Sequence, residues 1–298
     1  MQVRAGESGF AESTAKRVTM RCHHMTVVEQ LRAGTQIFTV GLRNARTSDI
    51  VRMAKDAGYG LIWIDLEHSS MPIDCAVQLA ATALDLQLEA WVRVPEREYG
   101  VIGRLLDGGA DGIIVPRVET AAEAQDIVDA CRFPPRGRRS QIARLPHFGF
   151  AKPPPIELNT SIDRRTTIQI LLETQRGIDN ADAIAGIDGV DILGVGANDL
   201  SADLGCLGEM AHESMRVACR RVAGAASRHG KVAVVGGVAD GTHYQSLLND
   251  GFSPLVFAAI DTDLLAAGLA QAASGWGTRL REARDVAARL PAKTESET

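Results

Sequence analysis

The stretch Leu61-Ile62-Trp63-Ile64-Asp65-Leu66-Glu67-His68 runs from four apolar residues directly into two acids and a histidine. Four consecutive apolar side chains are typical of a strand that is buried on both faces of a parallel sheet. Because unpaired buried charge is costly, a buried strand that ends in three ionisable groups indicates a working site at its carboxyl end. The alternative is a polar cap where the strand meets a solvated loop.

The rest of the chain alternates short apolar runs with longer amphipathic segments. Eight strands are predicted, at residues 36–41, 61–67, 89–94, 112–116, 167–173, 191–196, 232–236 and 255–259. Helices are predicted between and after them, at residues 48–57, 74–84, 99–106, 124–131, 180–184, 213–229, 244–249 and 263–273. This order predicts an α/β fold, a single-domain TIM (β/α)8 barrel over residues 31–280. A doubly wound sheet is disfavoured, because no GxGxxG follows the first strand and no GxxxxGK[ST] occurs.

The connection after strand four is much longer than the others. It covers residues 132–166 and is rich in proline, arginine and glycine. Loops of this length are usually functional or disordered, so we expect a lid or a subunit contact here. Its basic cluster is expected on a loop that faces an anionic substrate, a neighbouring subunit or solvent: Arg132, Arg136, Arg138 and Arg139.

Composition argues against several classes of protein. The 298 residues carry a net charge of −5 with both signs interspersed, so no nucleic-acid partner is expected. The apolar stretches are far shorter than the roughly 20 residues of a membrane helix, and residues 1–24 lack a secretory signal core. Five cysteines without a CxxC pair fit a reducing cytoplasm. Residues 1–30 are expected to be a disordered or non-native extension, and residues 281–298 the last helix end and a polar tail.

Ionisable and small residues also stand at the ends of other predicted strands. Barrel closure would bring these ends together around one mouth. Two hard carboxylates, Glu173 and Asp199, suit Mg²⁺ or Mn²⁺, which prefer oxygen ligands. Arg93, on an otherwise apolar strand, suits a carboxylate ligand, and Gly196 with Ala197 would let main-chain N–H groups approach an anion.

Each of these residues has a structural alternative. Glu173 could pair with a barrel arginine, Asp199 could cap a helix, and Arg93 could form an internal salt bridge with an acid of strand two. His68 follows two acids and is best suited to act as a base or proton shuttle. Together these groups suit a 2-oxo acid that chelates the metal, with the enolate stabilised electrostatically. A Schiff-base route is disfavoured because no lysine stands at a predicted strand end.

Many segments match, in order, those of a known family. On them the chain resembles the HpcH/HpaI aldolase family of metal-dependent (class II) pyruvate aldolases, from about residue 35 to residue 273. The matching segments are Trp63-Ile64-Asp65-Leu66-Glu67-His68, Val115-Pro116-Arg117-Val118-Glu119-Thr120-Ala121, Phe133-Pro134-Pro135-Arg136-Gly137-Arg138, Glu173-Thr174, Gly189-Val190-Asp191, Asn198-Asp199-Leu200-Ser201, Leu204-Gly205 and Asp261-Thr262-Asp263-Leu264-Leu265.

The resemblance implies a TIM barrel and a hexamer built from dimers that exchange their C-terminal helices. It implies Mg²⁺ or Mn²⁺, with Co²⁺ as a further option, held by Glu173 and Asp199. The pyruvate carboxylate would be bound by Arg93 and by the main chain at Gly196 and Ala197. The remaining implied roles are proton transfer by a His68–Asp65 pair and the holding of a metal-bound water by Glu67.

The implied activity is that of a lyase, the reversible cleavage of a 4-hydroxy-2-oxo acid to pyruvate and an aldehyde. Two alternatives use the same site, oxaloacetate decarboxylation and a citrate-lyase-like cleavage of an acyl-CoA ester. An alternative from another class is an inactive metal-binding barrel that serves as a binding or assembly protein. Retention of Glu173, Asp199, Arg93 and His68 together argues against that last alternative.

The chain departs from the family pattern at three places near the expected site. Ser69-Ser70-Met71 follows His68, where relatives often have Ala/Gly-Pro-Asn. Leu171 stands two residues before Glu173, where many relatives carry Gln. An Arg-Gly-x-Gly pattern is replaced by Arg138-Arg139-Ser140-Gln141. We therefore expect the metal chemistry to be retained and the aldehyde specificity to differ.

Overall fold

The computed structural model describes residue 20, residues 25–95 and residues 99–289. Eight parallel strands form a nearly closed TIM barrel, which confirms the predicted fold. The strands are β1 (Ile37–Leu42), β2 (Leu61–Asp65), β3 (Glu89–Arg93), β4 (Gly112–Val115), β5 (Thr167–Leu172), β6 (Ile192–Gly196), β7 (Val232–Gly236) and β8 (Leu255–Ile260).

Twelve α-helices and one short 3₁₀ helix (Pro146–Phe148) occur in the described residues. The α-helices are α1 (Val27–Arg32), α2 (Asp49–Asp56), α3 (Ile73–Asp85), α4 (Tyr99–Asp107), α5 (Ala121–Cys131), α6 (Pro155–Arg165), α7 (Gln175–Asp179), α8 (Ala181–Ala185), α9 (Ala197–Asp203), α10 (Glu213–Arg228), α11 (Gly241–Asn249) and α12 (Asp261–Arg289). None of these helices is long and apolar enough to cross a membrane.

Each strand pairs in parallel with its chain neighbours from β1 to β7, and β8 pairs with β1. The remaining gap lies between β7 and β8. Beside it, the main-chain N–H of Ser253 donates to the carbonyl of Ala233 at 2.8 Å. All eight carboxyl ends therefore open on the same side of the barrel, where TIM-barrel active sites lie.

The side chains of β2 point alternately outward and inward, so this one strand contributes both to the apolar core and to the site. Ile62 and Ile64 belong to the apolar layer between the strands and the outer helices. Leu61 and Trp63 face inward and pack in the barrel interior. Because side chains alternate in a strand, Asp65 also faces inward, at the carboxyl end.

The expectation for residues 1–30 is wrong where the structure describes α1. This helix begins with a capping box between Thr26 and Glu29, and it packs Val27, Val28 and Leu31 against the interior cluster of the barrel. The apolar face of a short helix thus covers the amino end of the barrel. Residues 1–19 and 21–24 lie outside the described part of the chain.

The long connection after β4 is largely folded. Phe133, Leu145 and Phe148 form a small core with side chains of α6, a helix that the sequence analysis missed. Arg132 does lie on this loop, but the expectation that it faces a substrate, a subunit or solvent is wrong, because it is buried and donates to the carbonyls of Asp163, Thr166 and Gly189. It is wrong for Arg139 as well, which is buried and donates to Asp107 at 2.8 Å.

The last helix, α12, is much longer than predicted. It spans 29 residues from Asp261, whereas the apolar pattern predicted residues 263–273. Beyond its first residues the side chains are largely exposed, and this exposure includes a series of large apolar ones: Leu264, Leu265, Leu269, Trp276, Leu280 and Val286.

Candidate active site

A cavity of about 650 Å³ opens at the carboxyl ends of the strands. Its wall includes side chains at the ends of β3, β5 and β6, namely Arg93, Glu173 and Asp199. The main chain at Gly196 and Ala197 also lines it. The structure thus brings these sequence-predicted residues together, while His68, Glu67 and Asp65 lie beside the cavity rather than on its wall.

Asp65 is fully buried and holds two arginines. Arg93 donates to both carboxylate oxygens, from Nε at 2.9 Å and from Nη2 at 2.6 Å, and Arg43 donates from Nε at 2.6 Å. Burial by itself raises the pKa of Asp65, but the hydrogen bonds from Arg93 and Arg43 outweigh it, so the pKa is lowered. Asp65 therefore stays ionised and fixes the position of both guanidinium groups.

His68 lies beside Glu67 and not beside the carboxylate of Asp65. Its side chain is about half exposed, and its Nε2 lies 3.7 Å from Glu67 Oε2. Only the main-chain N–H of His68 contacts Asp65, at 3.3 Å from Oδ1. The expected His68–Asp65 side-chain pair is thus absent from this arrangement, because Arg43 and Arg93 occupy the carboxylate.

Arg93 forms the internal salt bridge that was the structural alternative for this residue. Besides its bonds to Asp65, its Nη1 lies 2.9 Å from Glu67 Oε2. Burial lowers the pKa of Arg93, but these acids outweigh burial and raise it. A guanidinium has five N–H groups and three suffice for these contacts. Because Arg93 also lines the cavity, it retains donors for a substrate carboxylate.

Glu173 and Asp199 lie close together and share a partner, Arg117. The main-chain N–H of Arg117 donates to Glu173 at 3.0 Å, and its guanidinium donates to Asp199 at 2.8 Å. Burial raises the pKa of Glu173 to about 7, and the charges of Glu67 and Asp199 add to this increase. The hydrogen bond from Arg117 and the charge of Arg93 act in the opposite direction but do not cancel this increase, and a divalent cation bound here would stabilise the ionised carboxylates further.

The donor set therefore fits a hard divalent ion held by two carboxylates. Within the described residues, no group of three or more His, Cys, Asp or Glu side chains is placed to hold a metal by itself. Mg²⁺ commonly takes only one or two protein carboxylates and completes its shell with water and substrate oxygens. Glu173 and Asp199 match that pattern.

Gly196 makes room for Glu173. A Cβ on Gly196 would lie 2.7 Å from Glu173 Cγ, closer than real Cβ atoms approach a neighbour. Gly196 also precedes α9, in which Asp199 is the third residue. Asp199 is thus not the helix cap, and its carboxylate points to Arg117 instead.

Two contributions to the site were not predicted from the sequence, those of Arg43 and of Arg117. Arg43 directly follows the buried strand β1, the same signal that identified Asp65 after β2. Arg117 lies within a quoted family segment, and its positive φ of 53° turns its main-chain N–H toward Glu173. A left-handed, non-glycine residue cannot be recognised from sequence spacing alone.

The chain is similar in sequence to known proteins of one family. The sequence pattern of the HpcH/HpaI aldolase/citrate lyase family matches residues 42–265. A 4-hydroxy-4-methyl-2-oxoglutarate aldolase of Hapsidospora irregularis is 34% identical over 257 residues, 85% of this chain and 95% of the relative. A 5-keto-4-deoxy-D-glucarate aldolase of Shigella boydii is 37% identical over 177 residues, 59% of this chain and 67% of the relative.

Solved structures show the same architecture. The crystal structure of an HpcH/HpaI aldolase from Desulfitobacterium hafniense DCB-2 superposes with a TM-score of 0.77 at 25% identity, covering 90% of this chain and 99% of that one. The expected family and the expected carbon–carbon lyase activity are both confirmed. The family's sequence pattern matches most of the chain, and the barrel has the same architecture as a solved member of the family. The protein therefore belongs to the HpcH/HpaI aldolase/citrate lyase family and is a carbon–carbon lyase.

Proposed function

We propose that this aldolase depends on Mg²⁺ or Mn²⁺ and cleaves a 4-hydroxy-2-oxo acid reversibly to pyruvate and an aldehyde. The single observation that carries the proposal is the buried carboxylate of Glu173 beside Asp199, in the cavity that Arg93 also lines. When bound, the divalent ion polarises the 2-oxo group and stabilises the negative charge of the enolate.

The residues of the chain divide the remaining work. Glu173 and Asp199 hold the ion, and Arg93 binds the substrate carboxylate with the help of the main chain at Gly196 and Ala197. A base removes the proton of the C4 hydroxyl, the C3–C4 bond breaks, and its electron pair passes to C3 as the aldehyde leaves. Proton return to C3 then gives pyruvate. His68 is the proposed proton carrier.

The position of His68 bears on this role. Its imidazole lies next to Glu67, whose carboxylate also contacts Arg93. Glu67 therefore links the proton carrier to the residue that holds the substrate carboxylate. Asp65 contributes to the same arrangement, because its hydrogen bonds fix the guanidinium of Arg93.

Exchange of the pyruvate methyl protons in D₂O tests the proposal. Wild-type protein should exchange them only with Mg²⁺ or Mn²⁺, and Glu173→Gln should lose exchange. Asp188→Asn is the matched control, because Asp188 is 94% exposed and remote from the cavity wall. Absence of exchange in the wild type with every divalent ion, or full exchange in Glu173→Gln, would refute the proposed site.

The same preparation separates the alternatives. Oxaloacetate consumption with CO₂ release faster than any aldol cleavage would make decarboxylation the main reaction. Cleavage of an acyl-CoA ester would favour the citrate-lyase-like reaction. Cleavage of 4-hydroxy-2-oxo acids with neither of these activities is the outcome we expect.

We propose that α12 pairs with a second copy of the chain, in a hexamer of the kind that the family resemblance implies. Its apolar side chains Leu269 and Trp276 are 71% and 61% exposed, and Phe38 on the outer face of β1 is 43% exposed. Burial of such residues against a partner is favourable by about 25 cal/mol per Å² of apolar surface. Sedimentation of the full chain tests this proposal, and a monomer at micromolar concentration would contradict it.

We also propose a cytoplasmic location. Four cysteines in the described part of the chain are buried and unpaired: Cys75, Cys131, Cys206 and Cys219. Cysteines without disulfide bonds are typical of proteins in a reducing compartment. Fractionation of the cells that express the protein would test this location.

A further inference from the structure

We infer that Arg43 binds the C1 carboxylate of the 2-oxo acid together with Arg93, so that two arginines hold this one group. This inference rests on the proposed function, because it adds a binding residue to the same site. Arg43 lines the cavity that also holds Glu173 and Asp199, and its side chain is 28% exposed. None of the steps described above uses it.

Arg43 and Arg93 lie side by side at the mouth of the barrel. Both donate to Asp65 Oδ2 at 2.6 Å, Arg43 from Nε and Arg93 from Nη2. Their guanidinium groups also lie near one aromatic ring, 5.8 Å and 5.1 Å from the ring centroid of Trp63. Because both cations line the same cavity and share an oxygen partner, they are close enough to bind one anion together.

Arg43 has more hydrogen-bond donors left for a ligand than Arg93 has. Its Nε is used by Asp65, and within the described part of the chain no hydrogen bond from Nη1 or Nη2 is found. These terminal N–H groups form a planar fork, which matches a carboxylate. Arg93 already contacts two acids, Asp65 and Glu67, so fewer of its N–H groups remain. A single carboxylate would therefore be bound more completely by both arginines than by Arg93 alone.

Arg43 is held in place before a ligand arrives. Its main-chain N–H donates to Asp261 Oδ1 at 2.9 Å, and the next two N–H groups, of Asn44 and Ala45, donate to Asp261 Oδ2 at 2.9 and 2.7 Å. Asp261 is buried and is the first residue of α12. A side chain that is fixed beforehand loses little conformational entropy on binding. Asp261 is therefore a positioning residue for Arg43.

The alternative is that Arg43 serves only to neutralise the buried charge of Asp65. Arg93 already donates to both carboxylate oxygens of Asp65, so this acid has a charged partner without Arg43. A guanidinium group that only balanced an acid would gain nothing from terminal N–H groups at a cavity wall. The unused terminal groups of Arg43 therefore favour ligand binding, where a carboxylate would gain charge-assisted hydrogen bonds.

Calorimetric titration of the Mg²⁺-loaded protein with pyruvate tests the inference. Arg43→Met should raise the Kd for pyruvate about 10- to 100-fold, the range of one charged hydrogen bond. Arg43→Lys keeps the positive charge and should recover part of the lost affinity. The Kd for Mn²⁺ should not rise in either variant, because Arg43 carries the same sign of charge as the ion and bonds to Asp65 rather than to a metal ligand.

Double variants separate ligand binding from neutralisation of Asp65. If Arg43 binds the ligand, Arg43→Met should weaken pyruvate binding also in the Asp65→Asn background, where no charge remains to be neutralised. No effect in that background would overturn the inference. Asp261→Asn should weaken pyruvate binding as a single variant but not further in the Arg43→Met background, because Asp261 acts through Arg43.

Arg52→Met is the matched control, because Arg52 is exposed on α2 and does not line the cavity. It should bind pyruvate as the wild type does. In the D₂O exchange assay, Arg43→Met should raise KM for pyruvate and leave kcat within about threefold, as expected for the loss of a binding contact.

These measurements separate this inference from the proposed function. Unchanged pyruvate affinity in Arg43→Met, or a parallel loss of Mn²⁺ affinity, would overturn the inference and leave the proposed function in place. Absence of exchange in the wild type would refute the metal–enolate proposal, whereas Arg43-dependent binding of pyruvate would still support a carboxylate site formed by two arginines.

Discussion

Gly196→Ala should weaken metal binding without disturbing the fold. Gly196 has φ −87° and ψ 90°, which any residue can adopt, so the substitution adds no backbone strain. Its new Cβ would lie 2.7 Å from Cγ and 2.9 Å from Cδ of Glu173, and closer still to Oε1. Since the main chain at Gly196 belongs to a paired strand, Glu173 is the side chain that must move.

The expected cost follows from this overlap. Inserting a methyl group into a packed site costs about 1–3 kcal/mol. If rotation of Glu173 relieves the overlap, the carboxylate leaves its position beside Asp199, and the cost appears as lost metal affinity. That range corresponds to roughly a 5- to 150-fold increase in the Kd for Mn²⁺.

Calorimetric titration with Mn²⁺, combined with urea unfolding, separates binding from stability. Gly224→Ala is the control, because a Cβ there meets only the mobile end of Arg228, at 3.3 Å. It should leave the Kd unchanged and stabilise α10 by about 0.5–1 kcal/mol. In the double variant Gly196→Ala/Glu173→Asp, the shorter acid should recover part of the lost affinity.

The refuting result is clear. If Gly196→Ala is folded and binds Mn²⁺ as tightly as the wild type, Glu173 does not hold the ion from the position described. Suppose that Gly196→Ala lowers the affinity for Mn²⁺ and that the double variant Gly196→Ala/Glu173→Asp binds Mn²⁺ no more tightly than Gly196→Ala. The overlap with Glu173 is then not the cause of the lost affinity.

Three further predictions follow from other contacts. Arg117→Met removes the guanidinium 2.8 Å from Asp199, so Mg²⁺ should bind about 3- to 10-fold more tightly by calorimetry; unchanged or weaker binding would contradict the assumed competition. Burial and the charge of Asp111 raise the pKa of Glu89 to about 8. Because this folded-state pKa lies above the ordinary value of 4.5, stability should fall as pH rises from about 5 to 8, and Glu89→Gln should flatten urea midpoints across that range. Leu269→Glu with Trp276→Glu should lower the sedimentation coefficient, whereas an unchanged value would exclude α12 as a contact.

The strand ends could be predicted from sequence because two simple rules coincide there. Apolar runs identify buried strands, and unpaired charge is not buried without a purpose. Asp65, Arg93 and Glu173 all satisfy both rules, and the structure places them on inward-facing, carboxyl-terminal positions. These rules predict on which face of the barrel a side chain lies, because successive side chains of a strand point alternately inward and outward.

The partner of each side chain could not be predicted in the same way. His68 and Asp65 are three residues apart, and their types suggest a pair, yet two arginines from β1 and β3 take the carboxylate instead. An arginine offers several donors to a carboxylate and keeps its charge at every pH of interest, whereas an imidazole is mostly neutral near pH 7. Which of these side chains binds the carboxylate depends on how barrel closure brings strands that are distant in sequence together.

The buried arginine Arg132 illustrates the same limit outside the site. Its neighbours in sequence, prolines and other arginines, are typical of an exposed loop. In the fold its guanidinium satisfies three carbonyls around the end of α6 and the segment before β6, groups that would otherwise be buried without donors. A buried guanidinium can thus donate to several main-chain carbonyls where the ends of helices and loops meet. Sequence composition does not show which segments meet in this way.

Asp65 shows how one buried charge can serve both stability and specificity. Its carboxylate neutralises part of two guanidinium charges, so two arginines can line one cavity without mutual repulsion expelling either. Both arginines donate from Nε to Asp65, and Arg93 also donates from Nη2 to Asp65, while its Nη1 lies 2.9 Å from Glu67. The two guanidinium groups therefore lie side by side at one carboxylate oxygen, Asp65 Oδ2. For that reason Asp65→Asn should weaken the binding of pyruvate to the Mg²⁺-loaded protein, measured by calorimetry, because Arg93 would lose the charge that fixes its guanidinium.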